Sequence, residues 1–240
     1  MTSKRICLWS SPRNLSTALM YSFAQRADTV VFDEPLYAHY LRVTGTEHPG
    51  REDILQSQEN DGAKVIAQIV KEDFEKPVVF FKQMTHHLVD VNSDFLFDVF
   101  NIIYIRDPKQ IIASYAQVIE EVTMDDVGIE KQAWLYNFLT ERKQPFIVLD
   151  SAEILKNPEK VLTAVCDSLD IPFYKEMLFW PAGPKSYDGV WAKHWYKNVH
   201  QSTHFAQQET SNRELPTYLM PLYEQCKQHY DLLSQHSIKA

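Results

Sequence analysis

A chain of 240 residues with 45% hydrophobic and 23% charged residues has the make-up of a globular protein, with material for one large α/β domain. Its net charge of −8 argues against nucleic acid or an anionic membrane as partner, so an anionic ligand has to be held by a local group of basic side chains. The three cysteines, Cys7, Cys166 and Cys226, are widely spaced with no CxxC pair, which points to reduced thiols and away from a cysteine metal site.

The chain opens with the apolar run Arg5–Trp9, which predicts a buried strand, followed by the turn SSPRN. Leu15, Ala18, Leu19 and Phe23 then recur at helical spacing. Val30–Phe32 predicts a second strand ending at Asp33-Glu34-Pro35. Residues 42–61 are polar with two glycines and a proline, and read as a long loop near the site. Ala63–Glu72 is amphipathic and predicted helical. Val78–Phe81 is a third strand, and Leu88–Phe100 is expected to be helical from its mixture of apolar and acidic residues.

Asn101–Ile105 is a fourth strand, stopped by Arg106-Asp107-Pro108. Pro108 suits the first turn of a helix bearing Ile111, Ile112, Tyr115 and Val118 on one face. Ile129–Arg142 is helical and Pro145–Leu149 is a strand. Asn157-Pro158 has the form of a cap followed by a first-turn proline. A loop rich in Trp, Tyr and His spans 180–205, and a final helix is expected from about Arg213.

Strands alternating with helices imply an α/β, three-layer, P-loop NTPase-like fold, a central parallel sheet flanked by helices, with 1–240 as a single domain. Ligands of such sheets lie beyond the C-terminal strand ends. The candidate residues fall there: Ser10–Thr17, Asp33-Glu34, Lys82, Arg106 and Asp150. No stretch approaches the roughly 20 apolar residues of a membrane span. A strand predicted within five residues of the start leaves no room for a signal peptide, so the expected setting is cytoplasmic.

A strand–turn–helix opening gathers backbone N–H groups and a positive helix end, a geometry that holds phosphate. Against the Walker pattern GxxxxGKS/T, Thr17 fits the last position. Ser10 and Leu15 replace the glycines, and Ser16 replaces the lysine. The basic residue lies in the turn, as Arg13. This departure resembles the sulfotransferase family, whose first turn reads YPKSGTT or PRSGTT. Pro12, Arg13, Ser16 and Thr17 match, while Leu15 stands where the family prefers glycine. The resemblance implies that Arg13 contacts the 5′-phosphosulfate of 3′-phosphoadenosine-5′-phosphosulfate, that Ser16 and Thr17 donate hydroxyls to it, and that Ser11, Pro12 and Asn14 belong to the same turn.

Three further segments resemble the family in order. YIRDPKQIIASYAQ matches its 3′-phosphate motif through Arg106 and Ser114. An Arg fork suits phosphate because it is planar and keeps its charge. LDSAEILKNPEKVL matches the next segment. Here Asp150 is alternatively a Walker B aspartate, although the missing Walker lysine favours a structural role for Asp150 and Glu153. GPKSYDGVWAKHWYKNV is similar to the late loop that covers the nucleotide, with Lys185, Gly189, Trp191 and Lys193 as candidates; an aromatic loop packed on the core is the competing reading.

The resemblance implies a cytoplasmic sulfotransferase acting on a hydroxyl or amine of a small or medium acceptor. Sulfuryl transfer rests on positioning, charge stabilisation and a base, so no metal is expected. Lys82 followed by QMTHHL is similar to the family's Lys-Thr-His-Leu. That makes Lys82 a candidate near the leaving oxygen, and His86 or His87 the base. A helix after Lys82 would favour His86, whereas Leu88 after His87 favours His87. Glu34 is the rival base, with Tyr37, His39 and Tyr40 beside an acceptor pocket built from 36–62 and 180–210. The other readings are a P-loop kinase or NTPase and a non-catalytic nucleotide-binding protein of the same fold. Oligomeric state is open, a homodimer included.

Overall fold

The computed structural model describes residues 3–117, 121–206 and 214–240. Five strands form one sheet in the order β2-β3-β1-β4-β5: β1 is Lys4–Ser10, β2 Thr29–Asp33, β3 Val78–Met84, β4 Phe100–Ile105 and β5 Phe146–Asp150. Burial follows this order. The inner strands β1 and β4 carry unbroken buried runs, Ile6–Ser10 and Asn101–Ile105, as expected where both faces are covered. The outer strand β2 alternates, burying Thr29, Val31 and Asp33. It pairs in parallel with β3, with Asp33 opposite Lys82. The strand order reverses at β1, so the turn after β1 occupies the switch point at which doubly wound sheets hold ligands.

The helices are α1 Ser16–Ala24, α2 Tyr37–Thr44, α3 Arg51–Ser57, α4 Gly62–Lys71, α5 Pro108–Tyr115, α6 Met124–Val127, α7 Ile129–Glu141, α8 Ser151–Lys156, α9 Pro158–Ser168, α10 Ala192–Trp195 and α11 Met220–Ser234. Several starts follow from local chemistry. Asp61, Asp107, Asp150 and Asn157 each cap a helix by accepting backbone N–H groups, and Pro108 and Pro158 occupy the first turns of α5 and α9. Asp150 also accepts from Tyr230 Oη at 2.7 Å, and Glu153 from Lys156 at 2.7 Å, so both hold their turn structurally.

The chain forms two compact units. The first comprises residues up to Leu8, Ser16–Asn101 and Tyr174–His204. The second comprises Trp9–Leu15, Ile102–Phe173 and Phe205–Ala240. Phe23 stacks on Phe80 at 4.2 Å in the first. In the second, Gln132 of α7 donates to the carbonyls of Trp9 and Tyr104. All three cysteines are buried and none is in a disulfide. Among the described residues no helix is long and apolar enough to cross a membrane.

Five sequence expectations are corrected. Residues 42–61 are not one loop, since α3 lies within them and buries Ile54. Leu88–Phe100 is not a helix. It holds a 3₁₀ turn, Ser93–Phe97, capped by Asn92, and then enters β4. Lys82 is not followed by an α-helix: β3 runs on to Met84 and a 3₁₀ turn spans Thr85–His87, which removes the helical argument for His86. The 180–205 segment contains α10 and a 3₁₀ turn, Val199–Gln201. The last helix begins at Met220; Arg213, like Val118, lies outside the described residues.

Candidate functional site

The second unit contains a pair of guanidinium groups. Arg13 sits in the turn after β1 and Arg106 at the end of β4. Arg13 Nε donates to Ser114 Oγ at 2.9 Å. Arg106 donates to the carbonyl of Arg13 at 2.5 Å and to Gln110 Oε1 at 2.9 Å. Among the described residues no carboxylate forms an ion pair with either arginine. Burial and then the neighbouring Arg13 charge lower the Arg106 pKa, against Tyr104, Asp107 and Asp150, which raise it. Two cations and a hydroxyl with no ion-paired carboxylate among the described residues make an arrangement suited to an anion.

The turn itself is held tightly. Asn14 accepts from the Leu15 N–H at 2.8 Å and donates to the Tyr104 carbonyl at 2.9 Å, so its side chain serves the turn. Arg13 takes φ 57°, a left-handed conformation usually left to glycine. Leu15 is not among the positive-φ residues, so its departure from the family glycine costs nothing in backbone conformation. Ser11 Oγ is buried with no hydrogen-bond partner among the described residues. Ser16 and Thr17 begin α1, buried.

The first unit contains a different centre. Lys82 Nζ is wholly buried and donates to Asp33 Oδ1 at 2.8 Å, Glu34 Oε1 at 2.5 Å and Tyr196 Oη at 2.6 Å. Its three protons are thereby used. Burial alone would lower its pKa, but Asp33, Glu34 and Tyr196 outweigh that and hold the ammonium well above its usual value. Glu34 is pushed up to about 7, by burial first and by Asp33, against the lowering pull of Lys82. It too has a positive φ, 45°. The other non-glycine residues of positive φ, Glu75, Asp90, Lys143 and Asp170, are exposed. Strain at Arg13 and Glu34 therefore stands apart.

His87 Nδ1 lies 3.9 Å from Glu34 Oε2. Its ring is stacked on Tyr37 and Tyr40 at 4.8 and 4.7 Å, and burial followed by the charges of neighbouring histidines pushes its pKa well down. His86 meets Tyr40 and His87 edge-on. Tyr37 Oη is 2.7 Å from His48 Nδ1, and His39 Nε2 is 2.9 Å from the Val89 carbonyl. The two segments expected to build the acceptor pocket meet in one apolar cluster that includes Tyr37, Leu41, Ile54, Trp191 and Tyr196.

The late-loop candidates separate. Lys185 Nζ donates to the Gly183 carbonyl and lies 4.9 Å above the Tyr21 ring. Trp191 is 2% exposed and donates to Tyr196 Oη at 3.2 Å, so the core-packed reading of this loop is the observed one. Lys193 forms an exposed ion pair with Asp53 at 2.6 Å. Sequence reasoning missed Tyr196 entirely and named Asp33 as a strand-end candidate without assigning it a specific task. No local signal marks Tyr196, which reaches Asp33 across 163 residues of chain.

The sulfotransferase domain family matches residues 4–229. Branched-chain-amino-acid aminotransferase-like protein 2 of Arabidopsis thaliana is 37% identical over 229 residues, 95% of this chain and 41% of that protein. The chain thus spans less than half the length of that relative. Among solved structures, the sulfotransferase domain from the Synechococcus PCC 7002 olefin synthase superposes with TM-score 0.61 at 18% identity, over 96% of each chain. Mouse sulfotransferase SULT7A1 complexed with PAP gives TM-score 0.53 at 12% identity, over 97% of this chain and 84% of that one. These two likenesses speak for the fold. With the family match over nearly its whole length, the chain belongs to the sulfotransferase family and is an enzyme of that class.

Proposed function

We propose that this sulfotransferase uses 3′-phosphoadenosine-5′-phosphosulfate as donor and acts on a hydroxyl or amine of a small or medium acceptor, with 1–240 working as one sulfotransferase-like domain. The observation that carries the donor reading is the Arg13–Ser114–Arg106 cluster, which has no carboxylate partner among the described residues. A solved relative of the same fold is complexed with PAP. The buried, unpartnered Ser11 hydroxyl fits an oxygen-rich ligand at the same turn.

When bound, the donor supplies the sulfuryl group. Arg106 and Ser114 hold its 3′-phosphate. Arg13 and Ser11 hold the 5′ end on a turn shaped by Pro12 and Asn14, and the family motif assigns it the hydroxyls of Ser16 and Thr17. Glu34 takes the acceptor's proton on Oε2, since Oε1 is occupied by Lys82 and a carboxyl near 7 is matched to that task. Lys82 is a positioning residue, with all its protons committed. His87, held neutral by burial, stands next to Glu34 without taking the proton, and His86 packs behind it.

Thermal unfolding with and without PAP tests the donor. A saturating ligand of the folded state raises the transition temperature by mass action. An unchanged transition at saturating PAP would overturn the reading.

A further inference from the structure

Asp33 and Glu34 are consecutive carboxylates at the end of one strand, yet their surroundings differ. Asp33 Oδ1 accepts from Lys82 at 2.8 Å. Asp33 Oδ2 accepts from the Gly189 N–H at 3.0 Å. Tyr196 Oη lies 3.0 Å from Oδ1 and 2.8 Å from Oδ2. That hydroxyl already accepts from Lys82 and from Trp191 Nε1, so its single proton is committed to Asp33. Among the described residues the Glu34 carboxylate receives one donor, Lys82, on Oε1.

We propose that Tyr196 and the Gly189 amide are positioning groups for proton transfer: together they hold Asp33 as a carboxylate, so that the labile proton of the Asp33–Glu34 pair is carried by Glu34. The proposal deepens the reading of Glu34 as proton acceptor and rests on it. Hydrogen bonds to a carboxylate favour its charged form, and two adjacent carboxyls in a buried site do not both ionise freely. Three donors on one and one on the other decide which keeps the proton.

The remaining groups facing the pair do not compete. Lys82 on β3 stays cationic, and Tyr196 stays protonated, because burial and then Asp33 push its pKa well up. His87 in the turn after β3 stays neutral. Tyr21 of α1 is also pushed up, and its proton goes to Asp188 at 2.7 Å. The loop that presents Gly189 is fixed through that same Asp188, which also accepts from the Lys185 N–H at 2.8 Å and lies 3.0 Å from His200 Nε2. The anchor for Asp33 thus comes from a loop tied down independently.

The test is a pH titration of the full chain carrying ¹³C-carboxyl label in aspartate or in glutamate, read by NMR. In the wild type one glutamate signal should titrate near neutrality and vanish in Glu34→Gln. Its absence would remove the Glu34 reading itself. In Tyr196→Phe, with one donor to Asp33 removed, the Glu34 midpoint should shift. Asp33→Asn is the second variant: without the neighbouring negative charge, and with Lys82 undivided, the Glu34 midpoint should fall by about one pH unit or more. A glutamate that still titrates at an unchanged midpoint in both variants would overturn the proposal. PAP stabilisation on the same samples reports the donor separately, so failure of one reading is distinguishable from failure of the other.

Discussion

The two cationic centres of this enzyme balance charge in opposite ways. In the second unit Arg13 and Arg106 stand side by side with a serine and no ion-paired carboxylate among the described residues. In the first unit Lys82 is surrounded by two carboxylates and a phenol, and every proton it has is engaged. The lesson is that positive charge alone does not mark a binding site. The guanidinium pair has no ion-paired carboxylate among the described residues, whereas the three protons of the ammonium are all engaged. Residue choice follows this division. Arginine keeps its charge beside another cation, and lysine offers a compact charge that three acceptors can share.

The comparison breaks most readily at Lys82. Lys82→Met leaves two buried carboxylates without their cation and should destabilise the fold by about 3–5 kcal/mol in chemical denaturation. A variant as stable as wild type would mean that the centre is not closed on itself. Arg106→Ala should instead leave the fold nearly unchanged. It should weaken PAP binding by about 2 kcal/mol, roughly thirtyfold, by calorimetry. An analogue lacking the 3′-phosphate should show little of that loss; equal losses for both ligands would detach Arg106 from the 3′-phosphate.

Glu34→Gln sharpens the contrast through pH. The carboxyl rises from an ordinary 4.5 to about 7 on folding, so between those values the folded state binds more proton than the unfolded state. Wild-type stability therefore falls as pH rises across that window. Glutamine keeps an acceptor for Lys82 without the charge. The variant should be more stable than wild type at pH 8, by about 3 kcal/mol in urea titrations, with the gain gone below pH 4.5. A gain that persists in acid would mean that ionisation is not its source. At the small end, Lys193→Ala should change neither stability nor PAP binding measurably, because its ion pair is solvent-exposed.

Much of the fold was legible because its inner strands are continuous apolar runs and its helices start at Asp, Asn and Pro. The Arg13–Ser114–Arg106 cluster was legible because its residues lie in short contiguous motifs. What escaped is physical in origin. Helix α3 buries Ile54 alone, too few apolar positions to show a period within a polar stretch. Between Leu88 and Phe100 the apolar spacing suits a helix. The Asn101 side chain instead donates to the Leu96 and Val99 carbonyls, and the strand begins. The Lys82 centre was legible only in part: Asp33, Glu34, Lys82 and Gly189 were candidates, but Tyr196, which joins them from far along the chain, escaped. The left-handed backbone of Arg13 and Glu34 leaves no mark in residue type, since neither is a glycine.

A side chain at Gly189 would place its first carbon 2.1 Å from the indole of Trp191, which folds back over the glycine to reach Tyr196. The two positions are therefore one choice rather than two. Across related sequences, glycine at 189 should persist wherever tryptophan stands two residues later. Lineages that shrink the tryptophan should be the ones in which the glycine drifts, with the Tyr196 hydroxyl lost alongside. That co-inheritance would be readable from alignments, without any assay of the enzyme.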